Sequence, residues 1–438
     1  MLIEPRSIAV LGAFAGLTLA ACSSGDDAVV PAPTTSPSTS TTTTEVPERP
    51  DTIRIGVAIN EEAPTAVFDA QIEAILSEAA ITTEAATGIS IDLRSVPITS
   101  PGQAEGSMLS LINDGVSVVI TGCDDATIPS VVEAATANEL LAVTGCVSLP
   151  RPDIDRLNDE IDGELFIDLS ALSDNARAIA THATEQEYTS LAVVRSTLLP
   201  DVERVCIDLQ TELASELDED TEPEVDVSEV DDVGDEVSEV VTTLETTFVE
   251  LVDEPADVIA ELATGVGDLP PDAVVVCALP PTAGDIVSEL RTQGFEQPII
   301  LPWYGDGQTW EGETDDVFIV TPASRYGDDP SELTSSLFEA LTIDGEQPDA
   351  VDVVTADTLS ILSNAAERAG SVGSQRIADA IRNGGAEQPI PGISGTLAAG
   401  GDDSVPVRRV YRVVAITNGE PAFVTEASAV DSDSAETN

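Results

Sequence analysis

The sequence predicts an α/β protein whose parallel sheets are covered by helices on both sides. Two observations carry this. From Asp51 onward, short Val/Ile-rich runs alternate with helical periods, and near-continuous apolar runs belong to strands buried on both faces. The second is length. The chain has 438 residues, and the roughly 380 that follow a polar N-terminal stretch suit two domains or one bilobed unit.

The expected strands, in order, are Ile53–Ile59, Ile89–Val96, Val116–Ile120 and Leu140–Val143, then Leu191–Val194, Ala273–Val276, Ile299–Leu301 and Val317–Val320. Between them Ile72, Ile75 and Leu76, then Met108, Leu111 and Ile112, recur at helical spacing, as do Val202, Val205, Leu209 and Leu213. Such a β-α rhythm implies parallel sheets, with binding sites at the carboxyl ends of the strands. One stretch interrupts it. Glu216 to Glu239 is crowded with Asp and Glu and reads as a solvated acidic insertion, because the spacing of a calcium loop is absent. A helix is expected near Val240–Leu251.

The first residues read differently. Ile8 to Ala21 is apolar but shorter than the roughly 20 residues that span a bilayer. A charged start, an apolar middle and a small-residue end describe an export signal. The run closes on Leu19-Ala20-Ala21-Cys22, which resembles the bacterial lipobox, where a peptidase cuts before a cysteine that carries diacylglycerol. Residues 1–21 are thus expected to be a lipoprotein signal peptide and Cys22 the lipidated residue. Positions 22–50 are rich in Ser, Thr and Pro. They have too little apolar surface to offset chain entropy and are expected to be a disordered tether.

Composition excludes whole classes of function. The net charge is −64, from 81 acidic and 17 basic residues, and every basic residue is Arg. Such a surface repels nucleic acid and anionic lipid. There is one His, His182, and no C-x-x-C spacing, so neither a zinc site nor a histidine base beside a nucleophile is expected. No phosphate-binding or dinucleotide glycine pattern follows a strand. The reading is a protein that is not an enzyme and carries no cofactor.

Several segments, taken in order, resemble the type I periplasmic solute-binding family, leucine-binding-like, that serves branched-chain amino acid ABC transporters. They are Leu111-Ile112-Asn113-Asp114-Gly115-Val116 with the strand up to Ile120, Glu139–Thr144, Pro271–Val276, Ile286–Phe295 with its Arg291-Thr292-Gln293-Gly294 turn, Ala365–Ser371, and Arg409–Ile416 followed by Asn418-Gly419-Glu420. The resemblance implies two Rossmann-like lobes joined by three hinge crossings, with a ligand in the cleft between them. It places the N-terminal lobe at 51–168 plus 324–394 and the C-terminal lobe at 169–323 plus 395–426, the latter holding the acidic insertion 216–239. Residues 427–438 are expected to be a disordered tail. It implies a lipid-anchored protein on the outer face of the cytoplasmic membrane that hands a small molecule to ABC permease subunits. A sensing module for a membrane receptor and a degenerate clamp used for surface interactions are the alternatives.

The chain also departs from the family pattern. The cleft loop after the third strand reads Cys123-Asp124-Asp125-Ala126-Thr127, where a carboxylate would repel an amino acid's own. After the fourth strand stand Cys146, Val147 and Ser148, of which Ser148 keeps a hydroxyl. Trp303 occupies the place of the acidic residue that pairs the ligand's ammonium. The usual cleft tyrosines fall near Pro200 and Leu279, and Gly395–Ala399 replaces the family's G-x-I-x-F-D. The ligand is therefore expected to be something other than an ordinary α-amino acid. Candidate ligand-binding residues are Asp124, Asp125, Cys146, Ser148, Leu279, Trp303 and Tyr304. The aromatics either stack on a ligand or pack the hinge, and the aspartates either hold a cation or a hydroxyl-rich ligand or are merely solvated. Cys123 and Cys146 each follow a parallel strand, and those strands are expected to be neighbours. The two are expected to form a disulfide, which would contribute roughly 3 kcal/mol in the chain-entropy model. Cys206 and Cys277, in the second lobe, either pair or pack.

Self-repulsion at this charge opposes a compact state, and salt relieves it. The chain is expected to need salt to fold, as in a halophilic adaptation. Its melting temperature should rise steadily from low to molar salt when followed by circular dichroism. An unchanged melting temperature would show that the charge is neutralised by other means.

Overall fold

The computed structural model of the protein describes residues 52–62, 66–124, 126–145, 165–169, 174–196, 245–251, 270–278, 282–306, 314–322, 339–342, 348–384, 390–392, 394–399 and 407–427, with single positions such as 156, 205, 206, 209 and 310. The expected signal segment, tether, acidic insertion and tail after Ala427 lie outside them. The strands are Thr52–Ile59 (β1), Ser90–Pro97 (β2), Val118–Ile120 (β3), Leu141–Val143 (β4), Phe166–Ile167 (β5), Ser190–Ser196 (β6), Glu245–Leu251 (β7), Ala273–Cys277 (β8), Ile299–Leu301 (β9), Val317–Thr321 (β10), Ile390–Gly392 (β11), Gly395–Ala399 (β12), Val407–Arg408 (β13), Tyr411–Thr417 (β14) and Glu420–Ala427 (β15). The helices are Ala66–Thr87 (α1), Ala104–Asn113 (α2), Ile128–Thr136 (α3), Asn175–Glu185 (α4), Thr282–Thr292 (α5), Ala350–Ala369 (α6) and Ser374–Arg382 (α7).

One sheet runs β2-β1-β3-β4-β5, parallel throughout. A larger one runs β15-β14-β10-β9-β8-β6-β7. Its strands are parallel from β7 to β10, and β14 and β15 close it antiparallel. A small antiparallel sheet, β11-β12-β13, stands by itself. The chain leaves the first sheet after β5, returns after β10 to α6, and leaves again after β13 to enter β14. This is the expected two-lobed architecture with three crossings.

The apolar runs are buried as their composition requires. All residues of β3, β4, β8 and β9 are buried, because helices cover both faces of a parallel sheet. Ile72, Ile75, Leu76 and Ala79 on α1, Met108 and Leu111 on α2, and Ile286, Val287 and Leu290 on α5 supply those covers. The packing is close. A Cβ on Gly56 of β1 would meet Leu111 at 2.5 Å, so the strand takes glycine where α2 lies on it. Helix α6 is buried all round from Ala350 to Ser363. It packs against α1, α7, β11 and the 3-10 turn Trp303–Gly305. Asp349 and Asp352 form a capping box at its start. The Gln71 amide of α1 donates to both carboxylates, at 2.9 and 2.6 Å.

Helices end and strands begin through one recurring turn. A residue in the left-handed region closes the helix, and its N–H and the next one return to helix carbonyls. Gly115 and Gly294 do this after α2 and α5, and Glu139 and Glu187 do it after α3 and α4. The register is the same each time: Val116 donates to Leu111, Leu140 to Ala135, Tyr188 to Ala183 and Phe295 to Leu290.

One element differs from the sequence expectation. Residues 245–251 form the edge strand β7, paired in parallel with β6, where a helix was expected near Val240–Leu251. Thr246, Thr247, Phe248 and Val249 are β-branched or aromatic, types that favour strands, and β6 offers them an open edge. The open question about two cysteines is also settled. Cys206 and Cys277 form a disulfide across a sequence separation of 71, worth about 4 kcal/mol in the chain-entropy model.

His182 is buried on α4, in ring contact with Phe318 of β10 at 5.6 Å. Neither ring nitrogen has a hydrogen-bond partner among the described residues. Burial lowers its pKa from 6.5 to about 4.

Two outcomes follow. Glu139→Gly and Glu187→Gly remove a side chain from a left-handed position, and each is expected to stabilise by about 0.5–1 kcal/mol in urea unfolding at fixed salt. For His182 the native pKa lies below that of the unfolded chain, so the unfolded state takes up the proton first. Stability is lost as pH falls from 6.5 toward 4, by roughly 2 kcal/mol at about pH 5. His182→Leu should gain on the wild type by that amount between about pH 7.5 and pH 5 in paired melting curves.

Candidate functional site

In both sheets the carboxyl ends of the parallel strands feed the loops where α/β folds bind ligands. In the first lobe these ends are held by buried carboxylates. Asn60 directly follows β1. Its backbone N–H donates to Asp69 at 2.6 Å and its side-chain amide to Asp124 at 2.6 Å. The second Asp69 oxygen accepts from the Cys123 N–H at 2.6 Å, just beyond β3. Asp69 stands in the first turn of α1, where the helix dipole favours a negative group. One carboxylate thus ties the ends of β1 and β3 to the helix between them. Burial raises the Asp69 pKa, the two backbone N–H groups oppose the rise, and the charge of Asp124 adds to it. Gly122 leaves the space, since a Cβ there would lie 2.6 Å from Asp69 and 2.7 Å from the Ala58 carbonyl.

Asp124, expected to face a ligand, is 5% exposed. Besides Asn60 it accepts from its own loop at the Ala126 N–H, 3.3 Å away. Its carbonyl accepts the N–H groups of Thr127 and Ile128 at the start of α3. The side chain holds the loop together. Further along the same edge, the Thr144 hydroxyl beyond β4 donates to Asp168 beyond β5 at 2.5 Å, both fully buried.

In the second lobe Trp303 and Tyr304 follow β9. They are 6% and 5% exposed, and their rings meet edge to face at 5.4 Å. Their turn packs on α6, an element of the first lobe, so both aromatics sit where the lobes join. Burial holds the Tyr304 hydroxyl well above the usual phenol range, in its neutral form. Nearby, the Thr321 hydroxyl donates to Asp306 at 3.0 Å. Asn175, fully buried at the start of α4, donates to the Val320 carbonyl at 2.9 Å and accepts from the Trp303 N–H at 3.3 Å.

A polar knot lies where the crossings meet α6. Arg409, between β13 and β14, pairs with Asp357 in the middle of α6 at 2.7 Å, and both side chains are wholly buried. The same guanidinium donates to the Ser394 hydroxyl and to the Leu169 carbonyl, each at 3.0 Å. Ser394 in turn donates its hydroxyl to Asp357. Tyr411 is fully buried next to this knot. Burial first, then the charges of Asp174 and Asp168, raise its pKa, and Arg409 opposes them.

Of the residues expected at a site, the structure thus brings Asp124, Trp303 and Tyr304 to strand ends. Cys123 is disulfide-bonded, with its partner outside the described residues. Asp125, Cys146, Ser148, Leu279 and Cys22, the residue expected to be lipidated, also lie outside them. The sequence reading missed Asn60, Asp69, Asp168, Asn175, Asp357 and Arg409. A polar residue directly after an apolar strand run marks Asn60 and Asp168 in retrospect. Nothing local marks the others. Among the described residues, no group of three or more His, Cys, Asp or Glu is arranged to hold a metal, and no helix is long and apolar enough to cross a membrane.

No protein-family model and no curated protein matches the chain. Solved structures do. LivJ, the branched-chain amino acid transporter substrate-binding protein of Streptococcus pneumoniae, solved with isoleucine, is 16% identical with a TM-score of 0.60, over 85% of this chain and 99% of that one. The leucine-binding protein LivK of Thermotoga maritima gives 16% and 0.61 over 87% and 99%. A solute-binding protein of an ABC transporter from Rhodopseudomonas palustris BisB5, solved with 3,4-dihydroxybenzoic acid, gives 14% and 0.62 over 88% and 99%. At these identities the likeness speaks for the fold, and the chain has the two-lobed α/β fold of the type I periplasmic binding proteins that those substrate-binding proteins share.

Proposed function

We propose that this chain is an extracytoplasmic solute-binding protein, not an enzyme, that captures a small molecule between its lobes for an ABC transporter. The observation that carries the reading is the joining of two largely parallel sheets by three crossings, in a fold shared along nearly the full length of such proteins. Two lobes linked in this way close on a ligand by a hinge. The lipobox at Cys22 supports anchoring to the outer face of the cytoplasmic membrane, with the Ser/Thr/Pro stretch as tether and permease subunits as partners. Pairing of Cys123 with Cys146 would fix the loop that carries Ser148.

The ligand is a small molecule other than an ordinary α-amino acid. The cleft motif of the amino-acid binders is replaced at Cys123–Thr127, at Trp303 and at Gly395–Ala399. Asp124 is engaged by Asn60, so Ser148, Asp125, Cys146 and Leu279 are the better candidates for direct contact. Trp303 and Tyr304, almost fully buried where their turn meets α6, are read as support for the cleft.

Native mass spectrometry of protein purified from its natural source is expected to show a bound small molecule. Titration calorimetry with leucine and isoleucine is expected to give no binding heat, and Cys22→Ala should release the protein from membranes. Tight leucine binding would overturn the ligand class. A chain that carries no small molecule from its source, and whose solution scattering is indifferent to every solute tried, would overturn the function.

A further inference from the structure

We propose that Arg409 and Asn175 are two staples that set where the lobes bend, one on each side of the crossings. This rests on the reading of the chain as a hinged clamp.

Arg409 leaves the small sheet on the third crossing. Its guanidinium reaches the Leu169 carbonyl on the first crossing, at 3.0 Å, and Asp357 on α6, the helix that follows the second crossing, at 2.7 Å. Ser394, at the turn between β11 and β12, completes the knot with Asp357. Every group in it is buried: Leu169 and Asp357 are 0% exposed, Arg409 2% and Ser394 4%. Charge-assisted hydrogen bonds shielded from water are strong and directional. Leu169, the β11–β12 hairpin and Arg409 are therefore fixed to α6 and move with the first lobe.

Asn175 does the same on the other side. It lies beyond the first crossing, and its amide binds the end of β10, where the second crossing begins, and the turn after β9. The start of α4 is thereby fixed to the second sheet. Among the described residues, the stretch from Arg409 to Arg412 is where the chain passes from the first staple to the second sheet. Arg412, on β14 of the second lobe, bridges the joint with a longer contact to the Ser394 carbonyl, 3.3 Å. That contact is the one expected to break and re-form as the lobes move, while the Arg409 contacts persist.

The fork of the guanidinium is what makes the first staple. A lysine in its place is a single point charge and keeps Asp357 without also holding Leu169 and Ser394. The test uses the full chain with no ligand added, so its outcome is independent of whether a ligand is ever found. Small-angle scattering of Arg409→Lys is expected to show a larger radius of gyration and a broader distance distribution than the wild type. Hydrogen exchange should rise around Leu169, Ser394 and Arg409, while the sheet cores keep their protection. Ser394→Ala, which leaves the ion pair intact and is the milder variant, should move both readouts in the same direction by less. A scattering profile superimposable on the wild type for a folded Arg409→Lys, or for Ser394→Ala should the first variant not fold, would overturn the proposal. So would a uniform rise in exchange across both lobes, the signature of lost stability without a hinge role.

Discussion

The buried pair of Arg409 and Asp357 is the interaction that holds the crossing segments onto α6. A charge inside a protein costs several kcal/mol of hydration, and only close pairing with further hydrogen bonds offsets that cost. Here the pair is closed by Ser394 and by the Leu169 carbonyl. Removing either partner would strand the other in a dry interior. The knot therefore specifies one relation between chain segments far apart in sequence, and the first lobe is assembled around it on a helix, α6, that is itself buried on all sides.

The same economy of cations appears elsewhere. Arg291 donates to the carbonyls of Phe295, Gln297 and Asp315. Arg382 donates to Phe166, and Arg412 to Ser394 and Val410. These guanidinium groups close loops and join elements. The exposed pairs of Arg54 and Arg94 with Asp92 are of the kind that contributes little. With 17 basic residues against 81 acidic ones, neutralisation falls to cations from solution. This is the physical content of the expected salt requirement.

Carboxylates, by contrast, organise the edge of the first sheet. Asp69 accepts N–H groups from the ends of two strands, and Asp168 accepts a hydroxyl from the end of a third. A rim built in this way is preorganised, because these carboxylates are held in place by groups at the strand ends. It also explains why an aspartate expected to face a ligand, Asp124, serves the loop itself.

Much of the fold was legible along the chain. Strands buried on both faces leave runs such as Val118–Ile120 and Ala273–Cys277, and helices between them leave spaced apolar residues such as Ile72, Ile75 and Leu76. These are local patterns, dictated by which faces of an element must escape water. The left-handed turns were not read, since Glu139 and Glu187 fill at two helix ends the place that Gly115 and Gly294 fill at two others. The strand Glu245–Leu251 was misread because its neighbours are acidic and its stability comes from β6, which lies elsewhere in the sequence. The pairing of Cys206 with Cys277, the burial of Trp303 and Tyr304 against α6, and the meeting of Arg409 with Asp357 and Leu169 belonged to the tertiary structure alone. They join segments that only the packing of two sheets brings together, and no periodicity within a single element records such a contact.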